Sequence, residues 1–247
     1  MLIEAENLTK SFGTTQAVKG ISFKVNAGER VGVLGVNGAG KSTTLRMLAG
    51  TIAPNQGRAL IAGSDIQTAP LQARRAIGYL PEAANGFSEL RVAEFLAFGA
   101  EARGLKGARR NNAVRNVIDM LNLGDAAAKH LSVLSKGWRQ RAWLAHALIH
   151  DPPVLILDEP TDGLDPIQKI ALRRLLADIS RDKAMLISTH ILEEAEALCD
   201  RILVIDSGRI IADAPTAELA DEHGRIAPAF LRLTGAGEST SQVKENA

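Results

Sequence analysis

Cysteine is all but missing from this 247-residue chain: Cys199 is the only one. One thiol excludes an intramolecular disulfide and a cysteine metal cluster, and it fits a reducing, cytoplasmic setting. Long apolar runs are missing too. No stretch approaches the ~20 residues that span a bilayer, so the chain is expected not to cross a membrane unaided. The opening Met1-Leu2-Ile3-Glu4 has no signal-peptide pattern. A dominant charge is also missing. The 29 Lys and Arg residues face 28 Asp and Glu, a net charge of +1, which removes any electrostatic argument for a nucleic-acid partner. What remains is ordinary for a globular protein, with 46% hydrophobic and 23% charged residues. The length allows one large core, or a core with a small subdomain.

The chain is organised around Val31–Thr44, VGVLGVNGAGKSTT. Val31–Leu34 reads as a short buried strand, and Thr43–Ala49 reads as a helix. Between them, Gly35–Ser42 fits G-x-x-x-x-G-K-[ST], the phosphate loop, in the strand–loop–helix setting that the motif requires. Gly35, Gly38 and Gly40 let the backbone curl and aim its N–H groups inward. The helix adds its positive N-terminal end. Lys41 can reach the outer phosphates, and the Ser42 hydroxyl can hold Mg²⁺.

Upstream, Ile21, Phe23 and Val25 alternate with polar residues, the period of a half-buried strand. Phe12-Gly13 reads as a turn between two early strands, where the ring either stacks on a base or packs in the core. Downstream, Arg58–Gly63 and Ile77–Leu80 read as strands and Leu71–Arg75 as a short helix. From Arg91 to about His150 the pattern turns helical: Val92, Phe95 and Leu96, then Val114, Val117, Ile118 and Leu121. This predicts a helical subdomain, about residues 83–150, inserted into an α/β core with Glu82 at the first joint. Ser135 can cap the helix that opens at Leu134–Trp138. Its N-terminus is either an anion site or a plain cap beside a core tryptophan. His146 and His150 are four apart, but Ala147 stands where H-E-x-x-H has its glutamate, so no metal pair is read there.

Pro153–Leu157 is an apolar strand ending in Asp158-Glu159. If Asp158 ends the strand near Ser42, its oxygens can orient Mg²⁺. Glu159, turned elsewhere, can polarise a water. Asp165 and Pro166 read as the cap and first residue of a helix with Leu172, Leu175, Leu176 and Ile179 on one face. Ala184–Thr189 is another buried strand. His190 just past it is either a solvated loop residue or lies where open α/β sheets bind ligands. A helix is predicted over Ile191–Cys199, with Cys199 a small core residue beside Leu192 and Ala195. Strands Arg201–Asp206 and Gly208–Ala214 finish the core. The polar end, Glu238–Ala247, is expected to be disordered.

Taken together, residues 2–222 resemble the ATP-binding subunit of an ABC transporter. The motifs stand in the family's order: Phe12 for the base-stacking aromatic, Gly35–Thr43 for Walker A, and Glu82 at the Q-loop. Leu134–Trp138 follows for the signature, Leu155–Glu159 for Walker B, Leu164-Asp165 for the D-loop and His190 for the switch histidine. The resemblance implies an α/β P-loop NTPase core, an N-terminal antiparallel β subdomain and the inserted helical subdomain, followed by an extension at 223–247. It implies ATP and Mg²⁺ as cofactors. Phe12, Asn37, Gly38, Ala39, Gly40, Lys41, Ser42, Thr43, Ser135 and Gly137 would bind nucleotide. Ser42, Asp158 and Glu82 would hold metal, and Glu159 and His190 would be catalytic. It further implies a head-to-tail dimer with a second ATP-binding subunit, two ATP molecules lying between the Walker A of one copy and the signature of the other. A membrane-spanning permease would hold the pair peripherally at the cytoplasmic face of the cell membrane.

Two departures set this chain apart. Lys136 and Trp138 replace the first glycine and the glutamine of Leu-Ser-Gly-Gly-Gln, while Ser135 and Gly137 are kept, and Glu82 replaces the Q-loop glutamine; a carboxylate cannot donate as an amide does. With Phe230–Thr234, these features resemble the subgroup serving ABC-2 type exporters, among them gliding-motility, drug-resistance and copper-related cassettes. The competing readings fit less well. A non-transport relative acting on ribosomes or DNA usually carries two cassettes or a coiled-coil insertion, absent here. A metabolic P-loop kinase would lack Leu134–Trp138. A silent regulatory subunit conflicts with Glu159 and His190.

Overall fold

A computed structural model describes residues 1–235; the predicted disordered end, Glu238–Ala247, lies outside them. The chain opens with β1 (Ile3–Phe12) and β2 (Thr15–Val25), then β3 (Arg30–Leu34), α1 (Lys41–Leu48), β4 (Gln56–Ile61) and β5 (Ser64–Asp65). After α2 (Pro70–Arg75) and β6 (Ile77–Leu80) come three longer helices, α3 (Val92–Ala102), α4 (Gly107–Met120) and α5 (Lys136–Leu148). The remainder alternates: β7 (Val154–Asp158), α6 (Pro166–Ile179), β8 (Ala184–Thr189), α7 (Leu192–Leu198), β9 (Arg201–Asp206), β10 (Arg209–Pro215), α8 (Thr216–Leu219) and α9 (Ala227–Thr234).

The strands form two sheets. One is antiparallel, in the order β2-β1-β4-β5. The other runs β10-β9-β3-β8-β7-β6 and is parallel except for the β10 edge. Strands buried on both faces read as continuous apolar runs, and β7 shows why. Its Val154 and Ile156 enter the core shared with the antiparallel sheet, while Leu155 and Leu157 enter the core shared with the helices. Helix α1 touches strands of both sheets, so the segment after the phosphate loop is wedged between them. Helices α3 to α5 all lie between β6 and β7, which pair directly, Ile77 with Val154 through Leu80 with Leu157.

The helix predicted over Ile191–Cys199 is shorter, Leu192–Leu198. Asp200 explains the early stop. Its backbone N–H donates to the Arg30 carbonyl, and its carboxylate accepts from the Arg30 backbone and guanidinium. This pins Asp200 to β3 and draws Cys199 into an extended conformation, φ −115° and ψ 138°. Cys199 is a buried core residue, as expected, and burial pushes its thiol up to about 12.

Candidate active site

The site lies at the carboxyl ends of β3, β7 and β8, where open α/β sheets bind ligands. β3 delivers the phosphate loop. Gly40, at the helix N-cap, has φ 108°, and a Cβ there would sit 2.6 Å from the Ala17 carbonyl oxygen. Only glycine fits, because the loop passes hard against β2. Val36, Asn37 and Gly38 form the exposed rim, and Ala39 is buried behind them. Thr43 stands half-buried in the first turn of α1. Lys41 is buried, and its Nζ donates to the carbonyls of Gly35 (2.9 Å) and Val36 (3.2 Å). Burial lowers its pKa, against the pull of Glu159, Asp158 and Glu82.

β7 delivers the carboxylates. The Ser42 hydroxyl lies 3.1 Å from Asp158 Oδ1 and 3.5 Å from Glu82 Oε2. It carries one proton, so it cannot satisfy both acids. Two carboxylates and a hydroxyl converging this way are a hard-oxygen set of the kind that suits Mg²⁺. Burial raises the Asp158 pKa, opposed by hydrogen bonds from Ser188 and Ser42. The next residue, Glu159, takes φ 51°, which turns its side chain away from the line of the strand. Its backbone N–H donates to Ser188 Oγ (3.0 Å), and its carboxylate meets His190 Nδ1 at 2.9 Å. Burial raises the Glu159 pKa as well, opposed by His190.

The sequence reading missed Ser188 and Gln140. Ser188 stands opposite Asp158 in the β7–β8 ladder. Its hydroxyl donates to Asp158 and accepts from the Glu159 N–H. Buried Gln140, on α5, donates to the Glu159 carbonyl at 3.1 Å. The only signal for either is a polar residue on a face that burial makes apolar.

Phe12 ends β1 half exposed, at 50%, with Lys10 Nζ 5.5 Å from its ring centroid. It is a free platform rather than core. Ser135 and Gly137 stand apart from this cluster, with no hydrogen bond to the phosphate loop among the described residues. Ser135 caps α5, its Oγ accepting from the Trp138 N–H at 3.4 Å. A Cβ at Gly137 would meet Gln168, Gly163 and Leu164. Lys136 pairs with Asp162 at 2.6 Å. Trp138 is half-buried, and the Arg141 guanidinium lies 3.8 Å from its ring centroid. His146 stacks on Phe95, and burial pushes His146 and His150 each down to about 4.

A phosphate loop on a parallel sheet, faced by Asp158 and Glu159 from the end of β7 two strands away, defines a P-loop ATPase. Residues 18–162 match the family described as ABC transporter. The Nod factor export ATP-binding protein I of Paraburkholderia xenovorans is 42% identical over 224 residues, 90% of this chain and 74% of that protein. An uncharacterized ABC transporter ATP-binding protein of Bacillus subtilis, YxlF, is 37% identical over 221 residues, 90% of this chain and 73% of that protein. A solved ATP-binding subunit of an ABC transporter superposes with a TM-score of 0.86 at 29% identity, covering 94% of this chain and 99% of its own. A bacterial ABC transporter cassette solved as a dimer shares the fold, with a TM-score of 0.81 at 24% identity, covering 87% and 98%. The chain belongs to the ABC transporter family. It is an ATP-binding, ATP-hydrolysing subunit that powers a transporter.

Proposed function

We propose that the chain drives export through a separate membrane permease, as one of two ATP-binding subunits joined head to tail. Residues 1–222 serve as the ATPase domain, with the helices of about 83–150 as the part that answers to the permease. The observation that carries this reading is the convergence of Lys41, Ser42, Asp158 and the Glu159–His190 pair at three neighbouring strand ends. The export direction is supported by the relatives named for Nod factor export. Among the described residues no helix is long and apolar enough to cross a membrane, which fits peripheral attachment at the cytoplasmic face.

In this mechanism Phe12 stacks on the base without selecting it. The loop N–H groups of residues 37–43 and the Lys41 ammonium hold the phosphates. Ser42, Asp158 and Glu82 would hold Mg²⁺, which when bound would supply positive charge against the phosphates. Glu159 accepts the proton of the attacking water, and its raised pKa strengthens it as a base. His190 orients Glu159 through the contact of its ring nitrogen with Oε1. Ser135 and Gly137 of one copy close on the γ-phosphate held by the other, so ATP bridges the two chains.

Glu159→Gln tests this. It keeps the shape and removes the base, so turnover falls by about 10²–10⁴ while ATP still binds. The trapped nucleotide holds a dimer in size-exclusion chromatography with Mg-ATP and not without it. Normal turnover would remove the base role; a dimer indifferent to ATP would remove the bridge.

A further inference from the structure

Glu194 is a buried carboxylate with no part in the mechanism above, and three segments of the chain meet on it. Thr161, two residues past Glu159, donates its hydroxyl to Glu194 Oε2. Thr189, the residue before His190, donates to the same oxygen at 3.1 Å. Lys169, in the first turns of α6, donates to Oε1 at 2.7 Å. The Thr189 hydroxyl also accepts from the Ile191 N–H at 3.0 Å. Thr161 and Thr189 are each about 1% exposed and Glu194 is 2% exposed, so water does not compete for the two threonine bonds.

The placement of the two threonines is what matters. The loop leaving β7 and the loop leaving β8 carry Glu159 and His190, and one carboxylate ties the two loops together. On the other side of the pair, the Ser188 hydroxyl holds the Glu159 N–H. The Glu159–His190 contact of 2.9 Å therefore sits between two brackets. Glu159 needs such support. A non-glycine residue at φ 51° costs energy and persists only where its surroundings over-determine it. Both carboxylate oxygens are engaged: three donors, one of them an ammonium, compensate its burial.

From this geometry we infer that Glu194 is a positioning residue, which sets the Glu159–His190 pair by fixing the loops after β7 and β8 to one carboxylate. The inference rests on the catalytic reading of Glu159 and His190, and its test separates the two. In Glu194→Gln the hub loses its charge and one acceptor site. Hydrogen bonds to a charged group are the strong ones, so kcat falls by about ten- to a hundredfold with KM for ATP unchanged within about twofold. In a His190→Ala background the same change costs less than about twofold, because residues acting as a unit are not additive. Thr161→Val and Thr189→Val each remove one donor from the hub and give smaller losses of the same kind, which keeps the test open should Glu194→Gln not fold. The readout independent of catalysis is NMR of the His190 ring. In Glu194→Gln its signals move towards their position in Glu159→Gln, where the partner carboxylate is gone. Ring signals that stay at their wild-type positions would overturn the inference even where turnover drops. A kcat loss of the same size with and without His190 would overturn it too. If instead Glu159→Gln and His190→Ala keep full turnover while the ring signals still move in Glu194→Gln, the catalytic reading fails and the positioning role of Glu194 stands.

Discussion

Lys41 stores its ammonium on two carbonyls of its own loop, Gly35 and Val36. Each arriving phosphate oxygen has to be a better partner than a carbonyl, which a charged acceptor is. Lys41→Ala removes about two charge-assisted bonds, so ATP affinity falls by at least ~3 kcal/mol. Fluorescent-nucleotide titration of the folded variant checks this, and an unchanged Kd would place the phosphates elsewhere. Phe12 works differently, because a phenyl ring has no hydrogen bonds to offer. Phe12→Ala weakens ATP and GTP alike, by ~1–3 kcal/mol each, read by competition titration. A loss confined to ATP would contradict the stacking role. Lys41 was legible because the spacing of the phosphate-loop motif names it; Phe12 was singled out only by the family resemblance. Ser188, Gln140 and Glu194 were not. A serine in a strand, a glutamine in a helix and a glutamate at a helix start are common residues. Ser188 matters because the β7–β8 register sets it opposite Asp158, and register is not written in one strand alone.

At the scale of elements, the strands after the phosphate loop were legible as short apolar runs, since β7 and β8 bury both faces. Helix α6 was legible from both ends of its signal: Asp165 Oδ1 accepts from the Gln168 N–H at 2.8 Å, Pro166 opens the first turn, and Leu172 and Leu176 are buried. Asp165→Ala removes that cap and costs ~1 kcal/mol of stability, seen as a lower urea midpoint at constant slope. A change in slope instead would mean that the variant had altered more than the cap. Helix α7 shows the limit of local reading. Nothing between Ile191 and Cys199 says where the helix stops, because the stop comes from Arg30, 170 positions away in sequence from Asp200.

At the scale of the molecule, the helices hung between β6 and β7 were legible as a change of pattern, strand signals giving way to helical spacing; the packing of α1 between two sheets was not. That β6 and β7 are neighbours in the sheet was not, since parallel strands joined by a long crossover leave no local mark.

That neighbourhood has a mechanical consequence. The helices leave the sheet after Leu80, beside the Asp158-Glu159 end of β7, and return before Val154, at the opposite end of the same paired strands. The two attachment points are separated along the strands by a distance on the order of 10 Å, the three steps of ~3.3 Å between the first and last of the four paired residues. Between those points the helices also pack on the sheet, in one core that Leu155 and Leu157 enter, so helices and strands move as one packed body. Under the proposed function, a push from the permease on that body is delivered to the carboxyl ends of β6 and β7. The Leu80–Glu82 segment is the upper attachment, and the Glu82 carboxylate lies 3.5 Å from the Ser42 hydroxyl.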